Sequence, residues 1–344
     1  MRPHYLSALF APTSVAMFGA SDRTDSVGQI VFKNLLDGSF EGEIYAINPQ
    51  RSEVQGRKAY PDLESISKPI DLAIVATPAK TVPAIVEACG VYGIKSMIIL
   101  SAGFREVGET GRAIEDSVRD TARSYGIRFL GPNCLGIIRP SIGLNATFGN
   151  NNASEGGVAL VSQSGALCTA ILDWAETRDV GFSAVVSTGI AADLDFGEVL
   201  DYLASDPKTE SIFLYVEGLQ DSRRFMSGLR AASRIKPVIA IKAGRHSEGA
   251  AASMSHTGAL VGGDEAFSAA LARSGVVRVE TISQVFAAAG TLSSKYRSSG
   301  DRIAIVTNGG GPAVLAADHV PEVDLKLAEL GEATIKDLDE ALPP

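Results

Sequence analysis

Three stretches of the chain hold residue types that could do chemistry. One surrounds His256, one of four histidines. Residues 253–264 read SMSHTGALVGGD, small and hydroxyl-bearing side chains that would leave an imidazole exposed. An unperturbed imidazole titrates near about pH 6.5, so it can serve as a nucleophile at neutral pH. It then needs an acid to fix its tautomer and support the positive ring. Glu217 is the candidate acid, at the carboxyl end of the otherwise apolar run IFLYVE. A carboxylate in that place is rarely there for packing alone, although Lys242 or Arg245 could also be its partner. Without such an acid, His256 would be an ordinary loop histidine.

The second stretch is Ser162-Gln163-Ser164-Gly165-Ala166, after the apolar run 158–161 and before a helical pattern bearing Leu167, Ile171 and Trp174. Ser164 suits a helix N-cap, and Gly165 and Ala166 leave room for an anion at the free N–H groups of the first turn. A serine nucleophile of the GxSxG kind is excluded, because Ser162 stands where the first glycine would be. A plain structural cap is the simpler alternative.

The third stretch is Gly19-Ala20-Ser21, with Gly28 beyond it. A glycine after a first strand lets backbone approach a phosphate. The GxGxxG spacing is missing, and the second strand runs into Asn48-Pro49-Gln50-Arg51 rather than an acid for ribose hydroxyls. The turn suits a nucleotide-like ligand but argues against a dinucleotide oxidoreductase. Thr77-Pro78-Ala79 and Ser101-Ala102-Gly103 end the third and fourth strands, on the edge where open parallel sheets bind ligands. Ordinary turn chemistry would also explain them.

The elements that must position these residues follow from periodicity. Apolar, β-branched runs at 14–19, 43–48, 72–77, 96–100 and 128–131 alternate with helical patterns such as 81–92 and 111–125. A second set, at 158–162, 182–188, 211–217, 237–244 and 276–280, alternates with patterns such as 165–177, 196–204 and 283–293. Such alternation predicts an α/β protein with parallel sheets. The Asn-, Ser- and Gly-rich stretch 149–157 reads as a linker. The expected division is a Rossmann-like domain over 1–148, a flavodoxin-like domain over 149–298, and a partial third α/β unit over 299–344 that opens with the strand 302–308.

Hydrophobic residues make up 45% of the 344 and aromatics only 6%, as buried aliphatic strands require. The net charge is −9, from 31 basic and 40 acidic residues. With no basic run, nucleic acid is not an expected partner. Three cysteines without a CxxC pair argue against a disulfide framework or a zinc site and suit a reducing compartment, so cytoplasm is expected. No apolar stretch reaches the ~18 residues of a membrane span.

Taken in order, Phe18-Gly19-Ala20-Ser21, Ser101-Ala102-Gly103-Phe104, Gly131-Pro132-Asn133-Cys134-Leu135-Gly136, Ser162-Gln163-Ser164-Gly165, Glu217 and Ser255-His256-Thr257-Gly258-Ala259 give a pattern that resembles the α-subunit type of NDP-forming acyl-CoA synthetases. The resemblance implies that CoA lies against Gly19, Ala20 and Ser21 and the loops Thr77–Ala79 and Ser101–Gly103. Arg51 would stand near its phosphates. It further implies that His256 is phosphorylated, held by Glu217, faced by the helix start at Ser164, Gly165 and Ala166, and flanked by Asn133. The implied reaction is reversible: acyl-CoA, phosphate and NDP give acid, CoA and NTP, with acetate or another short-chain acid. ATP or ADP with Mg²⁺ would be bound by an ATP-grasp domain or β-type subunit, in an oligomer. No metal site is expected in the chain itself. The pattern also resembles the synthetase-like part of GNAT-fused protein acetyltransferases, which implies an alternative acyl-CoA-sensing role.

Overall fold

The computed structural model describes residues 4–245, 263–293 and 299–341, with the side chains of 289, 290, 292 and 293 excepted. His256 lies outside the described residues. The chain divides into two compact units, 1–294 and 295–344.

The first unit holds two seven-stranded sheets. The first sheet comprises β1 (Ser14–Phe18), β2 (Glu43–Ile47), β3 (Glu53–Val54), β4 (Arg57–Tyr60), β5 (Leu72–Val75), β6 (Ser96–Ile99) and β7 (Arg128–Leu130), in the order β3-β4-β2-β1-β5-β6-β7. Every pair but β3–β4 is parallel. All five residues of β1 are buried, as a central strand covered on both faces must be. Helices α2 (Val27–Asp37), α3 (Val82–Tyr92) and α4 (Glu109–Tyr125) form crossovers between its strands. Ser26 caps α2 by accepting from the Gln29 N–H.

The second sheet adds β8 (Gly136–Arg139), β9 (Leu144–Thr147), β10 (Glu155–Ser162), β11 (Phe182–Ser187), β12 (Ser211–Val216), β13 (Val238–Lys242) and β14 (Val277–Val279), ordered β14-β13-β12-β10-β11-β8-β9. From β14 to β11 the pairing is parallel. The β8–β9 hairpin joins β11 antiparallel. Helices α5 (Gly165–Glu176), α6 (Phe196–Ser205) and α7 (Ser222–Ser233) connect the parallel strands.

The hairpin lies before the expected division at 148/149 and pairs with the second sheet. Its strands precede the supposed linker yet belong to the second sheet, and all eight of their residues are buried. Composition marked 149–157 as a linker but could not say which elements it joins. The chain passes from the first sheet to the second in the loop 131–135, where Gly131–Pro132 is a cis peptide. A buried ion pair joins β8 to the end of α6. Arg139 of β8 donates to Asp206 at 2.8 Å, and its guanidinium faces the rings of Phe10 and Tyr202.

In the second unit, Arg302–Ile303 pairs in parallel with Lys326–Leu327. Helices Gly310–Glu322 and Glu332–Ala341 follow these short strands.

Candidate active site

A cleft of about 620 Å³ opens at the carboxyl ends of β1, β2 and β5. Gly19, Thr77 and Pro78 line it beside Phe18, Ile47 and Asn48. Its walls are largely apolar, with polar groups at the turns, the usual make-up of a small-molecule site. Gly19 has φ +87°, and a Cβ on Gly28 would stand 1.9 Å from the Gly19 carbonyl oxygen. The two glycines thus let α2 start directly against the strand end.

The rest of this expected set is arranged around the cleft. Ala20 is buried, and its carbonyl accepts from Asn48 Nδ2 at 2.9 Å. The Ser21 carbonyl accepts from Gln55 Nε2 at 3.0 Å. Arg51 stands beyond the lining, exposed and paired with Asp22 at 3.0 Å. Ser101 donates to the Thr77 carbonyl at 2.5 Å, tying the β5 and β6 turns together. Ala79 lies close to Gly103, whose N–H donates to Glu106 at 2.6 Å. Ala79, Ser101, Ala102 and Gly103 therefore form a shoulder beside the cleft rather than its lining.

That shoulder leads to the second sheet. The Asn133 N–H donates to the Ser101 carbonyl at 2.9 Å. Asn133 is exposed and has φ +53°, a region asparagine tolerates better than most residues. Its carbonyl lies so close to Gly189 that a Cβ there would be 2.4 Å away. The Leu135 N–H donates to Ser187 Oγ at 3.0 Å, and a Cβ on Gly165 would lie 3.1 Å from Leu135 Cβ. The carboxyl edges of the two sheets meet at this loop.

On the second sheet, β10 ends in the serine turn. Ser162 Oγ accepts from the Ser164 N–H at 3.0 Å and donates to its carbonyl at 2.8 Å. Ser164 caps α5, accepting from the Leu167 N–H. Ser164 and Gly165 are half-buried and Ala166 is exposed. The start of α5 is thus open to an anion, and its dipole favours negative charge there.

Glu217 follows β12 directly and is buried. Its N–H donates to Gln163 Oε1 at 2.6 Å. Glu217 lies near Tyr215 at the same strand end, two residues on. Burial first, and then the Glu217 carboxylate, push the Tyr215 hydroxyl up to about 12. Lys242 and Arg245, the alternative partners considered for Glu217, are occupied elsewhere. Lys242 donates to the carbonyls of Ala243 and Gly244 at 3.2 Å, and Arg245 pairs with Glu280 at 3.3 Å.

The cysteines supply no nucleophile. All three are buried, and burial pushes each thiol up to about 12. Among the described residues, no three His, Cys, Asp or Glu side chains are grouped to hold a metal. None of the described helices is long and apolar enough to cross a membrane.

Gln163 and Asn48 were missed as site residues. Each is an amide at a strand's carboxyl end, the one clue that sequence offered.

Residues 13–140 match the CoA binding domain family. Residues 155–292 match the succinyl-CoA ligase-like flavodoxin domain. The alpha subunit of acetate–CoA ligase (ADP-forming) I of Pyrococcus furiosus is 44% identical over 94% of this chain and 71% of that protein. The chain belongs to the ADP-forming acyl-CoA ligase family, α-subunit type. Acetate–CoA ligase (ADP-forming) I of Archaeoglobus fulgidus is 43% identical over 98% of this chain and 49% of that protein, so the chain spans about half of that ligase. Among solved structures, the Ca. Korarchaeum cryptofilum acetyl-coenzyme A synthetase 1, in complex with phosphate and ADP, superimposes with a TM-score of 0.93 at 35% identity. It is matched over 98% of this chain and 73% of its own. The two family matches together cover both sheets: one carries the cleft at Gly19 and Thr77, the other the serine turn and Glu217.

Proposed function

We propose that this chain is the CoA-binding and phosphoryl-carrying part of an ADP-forming ligase acting on acetate or another short-chain acid. The observation that carries the reading is the meeting of the two carboxyl edges. The cleft at Gly19 and Thr77, the Asn133 loop, the start of α5 and Glu217 form one continuous path.

CoA fits the cleft, with its adenine and pantetheine against Phe18 and Ile47 and its phosphates at the Gly19–Ser21 turn. Arg51 would exchange Asp22 for a CoA phosphate. The thioester then reaches the Asn133 loop. A phosphate oxygen at the start of α5 attacks the acyl carbon; the C–S bond breaks and CoA leaves as the thiol. The acyl phosphate so formed gives its phosphoryl group to a ring nitrogen of His256, and the P–O bond to the acyl group breaks, releasing the carboxylate. Glu217 holds the His256 ring and balances its charge. The amides of Gly165 and Ala166 and the Ser164 hydroxyl bind the phosphoryl oxygens.

Passage to ADP requires an ATP-grasp domain or β-type subunit with Mg²⁺, which we assign to a partner in a larger assembly. The cytoplasm is the compartment we assign to this chemistry.

The test is phosphate-dependent release of free CoA thiol from acetyl-CoA by the chain, with and without the partner subunit. Release that requires phosphate supports the reading. CoA binding without any such release overturns it and leaves an acyl-CoA-sensing role.

A further inference from the structure

We propose that Gln163 is a positioning residue, fixing the spacing between the start of α5 and Glu217. This rests on the phosphoryl-transfer reading above.

The ladder between β10 and β12 ends at Ser162 and Tyr215. Beyond it the two turns diverge, one to α5 and the other through Glu217 to Gly218. Gln163 spans the gap with its side chain. Oε1 accepts from the N–H groups of Glu217 at 2.6 Å and Gly218 at 3.1 Å. Nε2 donates to the Gly218 carbonyl at 2.8 Å. Its own N–H donates to the Tyr215 carbonyl at 3.3 Å. The side chain therefore does what one more residue of paired strand would do. At neutral pH, the amide supplies an acceptor and a donor without charge at that reach. Gln163 is buried, so water cannot substitute for it.

By backbone, Gln163 belongs to the turn that binds phosphate; by side chain, it belongs to the turn that presents the carboxylate. Any change in this link alters the separation of the two groups that must flank the phosphorylated ring. The backbone of Glu217 is thus fixed by the Gln163 side chain.

The test is the rate at which ³²P-labelled acetyl phosphate labels the full chain, in the wild type, Gln163→Leu and Gln163→Glu. Gln163→Leu should lower the maximal labelling rate about 100-fold while half-saturation and CoA affinity stay as in the wild type. Gln163→Glu keeps the acceptor and loses the donor at neutral pH. Its rate relative to the wild type should recover as pH falls, because a protonated carboxyl again donates to the Gly218 carbonyl. Wild-type labelling in Gln163→Leu, or a raised half-saturation with an unchanged maximum, would overturn the inference. If Gln163→Leu does not fold, Gln163→Glu decides. A rate ratio independent of pH then contradicts a positioning role. A wild-type chain that takes no label would instead overturn the phosphoryl-transfer reading, and this inference with it.

Discussion

Glu217 shows how much one residue's meaning depends on its neighbours. In sequence it was a carboxylate at the end of an apolar run, with three candidate partners. In the fold its backbone is pinned by Gln163, and Lys242 and Arg245 are engaged with other groups. Glu217→Gln keeps the shape and removes the charge. It should slow labelling by acetyl phosphate by about 10²- to 10⁴-fold, the range for losing a positioned acid–base partner, with CoA affinity unchanged by calorimetry. The thiols make an opposite prediction. With each pushed up to about 12 by burial, iodoacetamide at about pH 8 should leave the native chain unmodified by mass spectrometry. Legibility at this scale was uneven. The motif residues could be read because small residues at strand ends are distinctive. The Arg51–Asp22 pair outside the cleft lining was not legible, because side-chain reach is not encoded in spacing.

The helix starts carry the energetic predictions at the level of elements. Ser164 caps α5 and, in the proposed function, also faces the phosphate. Ser164→Ala should cost about 1 kcal/mol by chemical denaturation and weaken phosphate binding. Asp195 caps α6 in a capping box with Glu198 and accepts from the Gln220 N–H. Burial raises its carboxyl to about 6, opposed by the hydrogen bonds it accepts. A raised folded-state value means that stability is full below about pH 4 and is lost as pH rises through about 6. Asp195→Asn can still cap the helix but cannot ionise. Its melting temperature should therefore fall less than the wild type's between about pH 4 and about pH 7. A parallel fall in both would show that Asp195 does not contribute the slope. Strand and helix positions were legible because period and length differ so clearly in α/β chains. The β8–β9 hairpin had no counterpart in the sequence reading, because its short strands carry no strong periodic signal.

For the whole molecule, the two sheets act as one device because their carboxyl edges meet at the Asn133 loop. Within the second sheet's layer, the buried Arg139–Asp206 pair ties β8 to the end of α6. Removing one partner leaves an uncompensated buried charge. Asp206→Ala should therefore destabilise the chain by about 3–5 kcal/mol, read as a lower denaturation midpoint. The two-sheet architecture followed from periodicity, but the contact between the sheets could not. It depends on Gly189, Leu135 and Gly165 approaching from distant parts of the chain.

The central claim is that this chain carries a phosphoryl group on His256. Peptide mass spectrometry under alkaline conditions, after incubation with acetyl-CoA and phosphate, tests it most directly. The account predicts an acid-labile phosphoryl group on the peptide containing His256, absent from His256→Ala. A phosphoryl group on another residue, or one that persists in His256→Ala, would contradict it.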